Sequence, residues 1–135
     1  MNPITYLEKH NRLAWILTIL AAITIFVMSQ LVFNVGTESG GVKSLTFLPV
    51  AHHFTAFFCL SLLLTISITK GRFNFKLFAI CLLISTVYAL TDEIHQFLVP
   101  GRWMDVKDIR IDILGIGIAQ LIYALHLRKK VTTLK

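Results

Sequence analysis

Apolar residues fall in four long runs, and the short polar stretches between them set the helices apart. The first uncharged run goes from Leu13 to Thr37, and its most apolar part, 13–33, is about 30 Å long as a helix, enough for a bilayer's hydrocarbon core. A second run lacks charge from Ser44 to Thr69. Pro49 marks the start of its helix, because proline is tolerated in a first turn and disfavoured deeper in, so the span is 49–69. The third run, Leu77 to Thr91, makes only about 22 Å of helix. A full crossing, over 76–98, must therefore carry Asp92, Glu93, His95 and Gln96 in its last turns. Pro100-Gly101 reads as a turn, and Asp105-x-x-Asp108 then has the spacing of an acidic N-cap with a second carboxylate at N3. The fourth span runs over 106–127, and the pattern predicts an all-α, polytopic membrane bundle of four transmembrane helices.

Composition agrees with that reading: 56% of residues are hydrophobic, 15% are charged and mean hydropathy is +0.74. Soluble domains carry about a quarter charged residues, so this is an integral membrane protein. Residues 1–135 leave room for one bundle, with no internal repeat or flexible linker. The net charge of +6 resides in short basic clusters beside apolar runs, where lipid headgroups and not nucleic acid are the expected partners. Cys59 and Cys81 lie inside apolar runs without CxxC or Cys/His spacing and read as buried packing residues.

Loop charges predict an orientation. With the N-terminus cytoplasmic, the inside holds Lys9, Arg12, Lys70, Arg72, Lys76, Arg128, Lys129, Lys130 and Lys135, and the outside only Lys43, Arg102, Lys107 and Arg110. Nine of the thirteen basic residues inside favour both termini in. The first span is too long for a signal-peptide core and lacks a small-x-small site after it, so it is expected to be retained. Glu38 and the carboxylates of residues 92–112 then face outward.

Five of the seven carboxylates lie between Thr91 and Asp112, and ionisable groups at a membrane boundary are the default place to look for function. On a helix, Asp92 and Gln96 share a face with Glu93 about 100° away, while Asp105, Asp108, Asp112 and Gly115 form one stripe. Two acidic faces can meet across the hairpin, and His53 lies at a similar depth. The candidate polar site is His53, Asp92, Glu93, Gln96, Arg102, Asp108 and Asp112. Asp105 reads as a cap, whereas Asp112 lies beyond capping range in the apolar stretch IRIDILGIG. Arg102 has the forked donors that grip phosphate. His52, His95 and Trp103 read as interfacial. Gly115, Gly117 and Ala119 suggest a smooth stripe, and Gly115-x-x-x-Ala119 has the spacing that lets membrane helices approach closely, here the two helices of the last hairpin.

DEIHQFLVPGR followed by DVKDIRIDILG resembles the signature of VanZ-like membrane proteins, approximately D-E-x-x-Q, then P-x-R, then D-x-x-x-D/N-x-x-G. AHHFTAFFCLSLL is similar to that family's other landmark and aligns His53 and Phe57 with it. The resemblance covers about residues 50–120, and it departs at Trp103-Met104, where small or polar residues are expected. It implies a multi-pass protein of the bacterial cytoplasmic membrane and a role in the cell envelope. The family's namesake is associated with teicoplanin resistance and has no settled biochemical activity.

Two functions of different class follow. One is a non-enzymatic envelope protein that binds a phosphate-bearing lipid, a lipid-linked wall precursor or a glycopeptide through Arg102, with the carboxylates orienting it. The other is a membrane-embedded enzyme in which a carboxylate or His53 is general acid or base on a lipid-linked substrate at the outer leaflet. GxSxG, HExxH and P-loop motifs are absent. A site for a hard divalent cation at Asp92, Glu93 and Asp112 is a weaker variant because no metal-binding spacing is present, and neither a metal nor another cofactor is expected. The orientation yields a direct prediction: in intact cells a cysteine replacing Ser39 is labelled by an impermeant reagent and one replacing Thr132 is not. The opposite labelling pattern contradicts it.

Overall fold

The computed structural model describes residues 2–30, 47–100 and 104–133. All regular structure among them is helical: α1 (Pro3–Lys9), α2 (Asn11–Gln30), α3 (Phe47–Thr69), α4 (Phe75–Leu98) and α5 (Val106–Thr133). The last four are long and apolar enough to cross a membrane, which makes the chain a polytopic helical bundle. Their ends follow local chemistry. Asn74 begins α4 by accepting the amides of Lys76 and Leu77 at 3.0 and 3.3 Å. The α3–α4 turn passes through Lys70 and Gly71 at φ +51° and +77°, the left-handed region where glycine is favoured. Pro49 sits in the first turn of α3, which starts two residues earlier than its proline suggests. The described part of α2 ends at Gln30, and α5 continues past Leu127 into its basic tail.

The short helix α1 was not anticipated from the hydrophobic pattern. Asn2 caps it by accepting the Ile4 amide at 3.0 Å, and Pro3 occupies the first helical position. A single residue, His10, separates it from α2.

Because lipid tails are as apolar as leucine, burial of aliphatic surface does not by itself drive these helices together; close packing and hydrogen bonds do. Large apolar residues such as Ile16, Ile19, Ile23 and Phe26 accordingly face outward, while Ala14, Ser61, Thr65, Ser67, Ser85, Ala89 and Ala119 are fully buried. Thr18 and Ser67 join α2 to α3 at 3.2 Å, and the Tyr88 hydroxyl donates to the Ala22 carbonyl at 2.7 Å, joining α4 to α2. Helix α3 is the hub: it touches every other helix, and 44% of its spanning window is buried against 22–33% for the others.

The tightest approach is between α3 and α5. A Cβ on Gly115 would lie 2.7 Å from the Phe54 carbonyl oxygen and 3.2 Å from the Phe58 amide nitrogen, so only glycine fits there. This corrects the expected partner of the small-residue stripe, which is α3 and not the α4 side of the hairpin. Gly117 does not belong to that stripe: two residues are about 200° of helix rotation, and it points outward with open space around it. Cys81 is buried as expected, but Cys59 is exposed, since an apolar run in a membrane helix does not distinguish the bundle face from the lipid face.

Gly115→Leu is therefore expected to lower thermal stability in detergent by about 1–3 kcal/mol or more, as overpacking does, while Gly117→Ala leaves it unchanged. Equal melting temperatures for the two variants contradict the α3–α5 contact.

Candidate functional site

Three helices bring their polar ends to one end of the bundle. The Asp105 side chain accepts the Lys107 amide at 2.8 Å and starts α5, which places Asp108 in its first turn and Asp112 about one turn further in. Asp112, Gly115, Ala119 and Tyr123 continue as one buried stripe. The close fit at Gly115 holds that stripe against α3, and His53 immediately precedes the Phe54–Phe58 turn that Gly115 meets. Glu93, near the end of α4, accepts the backbone amide of Asp105 through Oε2 at 3.1 Å, which clasps the α4–α5 connection.

The resulting group is compact. His53 Nδ1 is 3.1 Å from Asp112 Oδ1, and His53 Nε2 is 3.8 Å from Asp108 Oδ2. With Asp112 ionised, its oxygen can only accept, so Nδ1 carries the proton and donates, leaving Nε2 with its lone pair toward Asp108. At 3.8 Å that second contact is an electrostatic approach and not a hydrogen bond. Glu93 and Asp112 are fully buried and His53 nearly so. Glu93 Oε1 and Asp112 Oδ2 nevertheless have no hydrogen-bond partner among the described residues. An ordinary scaffold contact satisfies its buried oxygens, because each one left bare costs several kcal/mol. Asn11 Oδ1, Ser85 Oγ, Gln120 Nε2 and His126 Nε2 are likewise buried without a partner among the described residues, but the two atoms at this end are carboxylate oxygens, for which the cost is largest.

His53, Glu93, Asp108 and Asp112 are brought together. Asp92 and Gln96 pair with each other instead, the Gln96 amide donating to Asp92 Oδ2 at 2.8 Å. Asp92 also lines a cleft of about 220 Å³ with Phe26, Tyr88, Thr91 and His95. His95, expected to be merely interfacial, instead ties α4 to α2: it contacts Gln30 at 2.7 Å and Ser29 at 3.3 Å, and stacks on Phe26 at 4.7 Å. Arg102 and Trp103 lie outside the described residues.

A second polar cluster, at the opposite end of the bundle, escaped the sequence reading. Glu8 of α1 is buried; it accepts from the Tyr123 hydroxyl at 3.1 Å and from the Lys130 ammonium at 2.8 Å, with His126 at 3.6 Å. Tyr123 in turn accepts from Thr69 and from the Gly71 amide, both at 3.2 Å. The cluster fastens α1 and the α3–α4 turn to α5. Its signal was present but faint: Tyr123, His126 and Lys130 recur at i, i+3 and i+7, one helix face, and Glu8 is a lone carboxylate among basic residues.

The fold and this centre define a multi-pass α-helical membrane protein with a buried histidine–carboxylate group near one end of its bundle. The chain belongs to the VanZ/LLP1 family, whose model matches residues 12–127. No curated protein and no solved structure matches it.

The geometry separates cap from site. Asp105→Asn keeps the capping acceptor and is expected to cost at most about 1 kcal/mol, with parental folded yield. Asp112→Asn and Glu93→Gln keep shape but remove charge, and are expected to lower folded yield and melting temperature in detergent. Parental behaviour of both would reduce the cluster to a solvated rim.

Proposed function

We propose that this protein acts in the bacterial cell envelope, with His53 as general acid or base on a lipid-linked substrate at the outer leaflet of the cytoplasmic membrane. The observation that carries this reading is the His53–Asp112 contact. A carboxylate behind one ring nitrogen orients the imidazole and selects its tautomer, and the other nitrogen is then available to exchange a proton. Glu93 and Asp108 lie beside it with oxygen atoms that can position or receive that proton. The outward placement rests on the basic-residue bias of the loops.

The second reading is ligand binding without reaction, with a phosphate-bearing lipid, wall precursor or glycopeptide as the ligand. The observation that favours it is the cleft at Phe26, Tyr88, Thr91, Asp92 and His95, whose mixed apolar and polar lining suits an acyl or prenyl chain beside a polar head. Against it as the main role, the described centre at His53 sets three carboxylates against one imidazole, a poor match for an anion unless Arg102 or a bound cation supplies positive charge.

The test is to incubate the purified protein with a bacterial envelope lipid extract and follow lipid-linked phosphates by mass spectrometry. The parent is expected to convert at least one component, and His53→Gln to do so about 100-fold more slowly or worse, the usual contribution of a general acid or base. Co-purification of a lipid that the parent never converts, and that His53→Gln retains equally, contradicts acid–base chemistry and leaves the binding role.

A further inference from the structure

Helix spacing alone showed no metal-ligand motif, because the relevant atoms come from three different helices. One nitrogen of His53, one oxygen of Glu93 and one of Asp108 all lie within 4.8 Å of one another. We propose that His53, Glu93 and Asp108 bind a divalent transition-metal ion of the Zn2+ or Mn2+ class, with Asp112 holding the imidazole from behind.

Four features support this. First, imidazole with carboxylate is a donor set that suits Zn2+ and Mn2+, whereas Ca2+ and Mg2+ sites are built from oxygen. Second, Asp112 occupies the position that a carboxylate takes behind a metal-bound histidine: it receives Nδ1 at 3.1 Å and so directs Nε2 into the cluster. Third, Glu93 Oε1 is buried and has no partner among the described residues, on a residue with no exposed surface. Its other oxygen is fixed by the Asp105 amide, which leaves Oε1 as the atom available to an ion. Fourth, among the described residues three carboxylates surround one imidazole, an excess of negative charge that a dication offsets.

The present separations are wider than those around a bound ion. Bonds of about 2.0–2.2 Å place neighbouring ligand atoms roughly 3–3.5 Å apart, so closure needs about an ångström of side-chain movement. Asp108 can supply it, being near the start of α5 with a side chain 24% exposed. Three protein ligands leave a coordination position open, the arrangement that catalytic sites use to polarise water or a phosphate oxygen. In this form the inference deepens the proposed acid–base site and rests on the same residues, but ion binding is measured without any substrate, so the two readings can fail separately.

The experiment uses the full chain in detergent, stripped with chelator, then exposed to Zn2+, Mn2+, Co2+ or Ca2+ alone. The expected result is about one equivalent of Zn2+ or Mn2+ retained after desalting, a raised melting temperature, and visible d–d absorption with Co2+ typical of nitrogen and oxygen ligands. Glu93→Gln, Asp108→Asn and His53→Gln are expected to weaken binding at least 10-fold, and Asp105→Asn to leave it unchanged. Absence of stoichiometric metal and of a Co2+ spectrum in the folded parent overturns the inference, whatever the variants do. So does a parent-like affinity in Glu93→Gln and His53→Gln. Metal binding without any lipid conversion, in contrast, counts against the acid–base reading alone.

Discussion

A carboxylate inside a membrane bundle must be compensated, and most of this architecture can be read as a consequence of that constraint. Desolvating an ionised group costs several kcal/mol even after relaxation, so it persists only where the fold brings donors or opposite charge to it. Glu8 has Tyr123 and Lys130, with His126 near; Asp112 has His53; Glu93 has the Asp105 amide. Each arrangement crosses between elements, so compensation and helix packing are one problem. The contact at Gly115 solves it for the functional end: with backbone against backbone, α3 and α5 come close enough for His53 to reach Asp112.

The two polar ends differ in a way that bears on function. At Glu8 both carboxylate oxygens have partners, one from a hydroxyl and one from an ammonium, and the result is a fastening for α1 and the α3–α4 turn. At His53 the pairing among the described residues is incomplete, with one oxygen of Glu93 and one of Asp112 left bare. Other buried polar atoms among the described residues also lack a partner, His126 Nε2 beside Glu8 among them, but both carboxylate oxygens left so lie at the His53 end, where a bare charge-bearing atom lowers stability most.

Much of the fold was legible in the sequence because bilayer thickness sets helix length: the charge-free runs mark four spans, and the short third run forces Glu93 inside the helix end. The stripe from Asp108 through Asp112 to Gly115 was legible from helical periodicity. Which helix that stripe faces was not, since periodicity assigns a face and not a partner. The same limit explains Gly117 and Cys59: hydrophobicity is uniform around a lipid-embedded helix, so inward and outward positions read alike. Glu8 escaped notice because its partners lie more than a hundred residues away and belong to a tail that reads as a topology signal. Metal-ligand spacing was invisible for a related reason, His53, Glu93 and Asp108 each coming from a separate helix.

The account depends most on His53 being held by Asp112 with its other nitrogen free to act, and ring-nitrogen NMR of the metal-free protein in detergent micelles measures that directly. With selectively labelled histidine assigned through His53→Gln, the account predicts a proton on Nδ1, a bare Nε2, and a displaced Nδ1 signal in Asp112→Asn. A proton on Nε2 with Nδ1 bare, unchanged by Asp112→Asn, would contradict it.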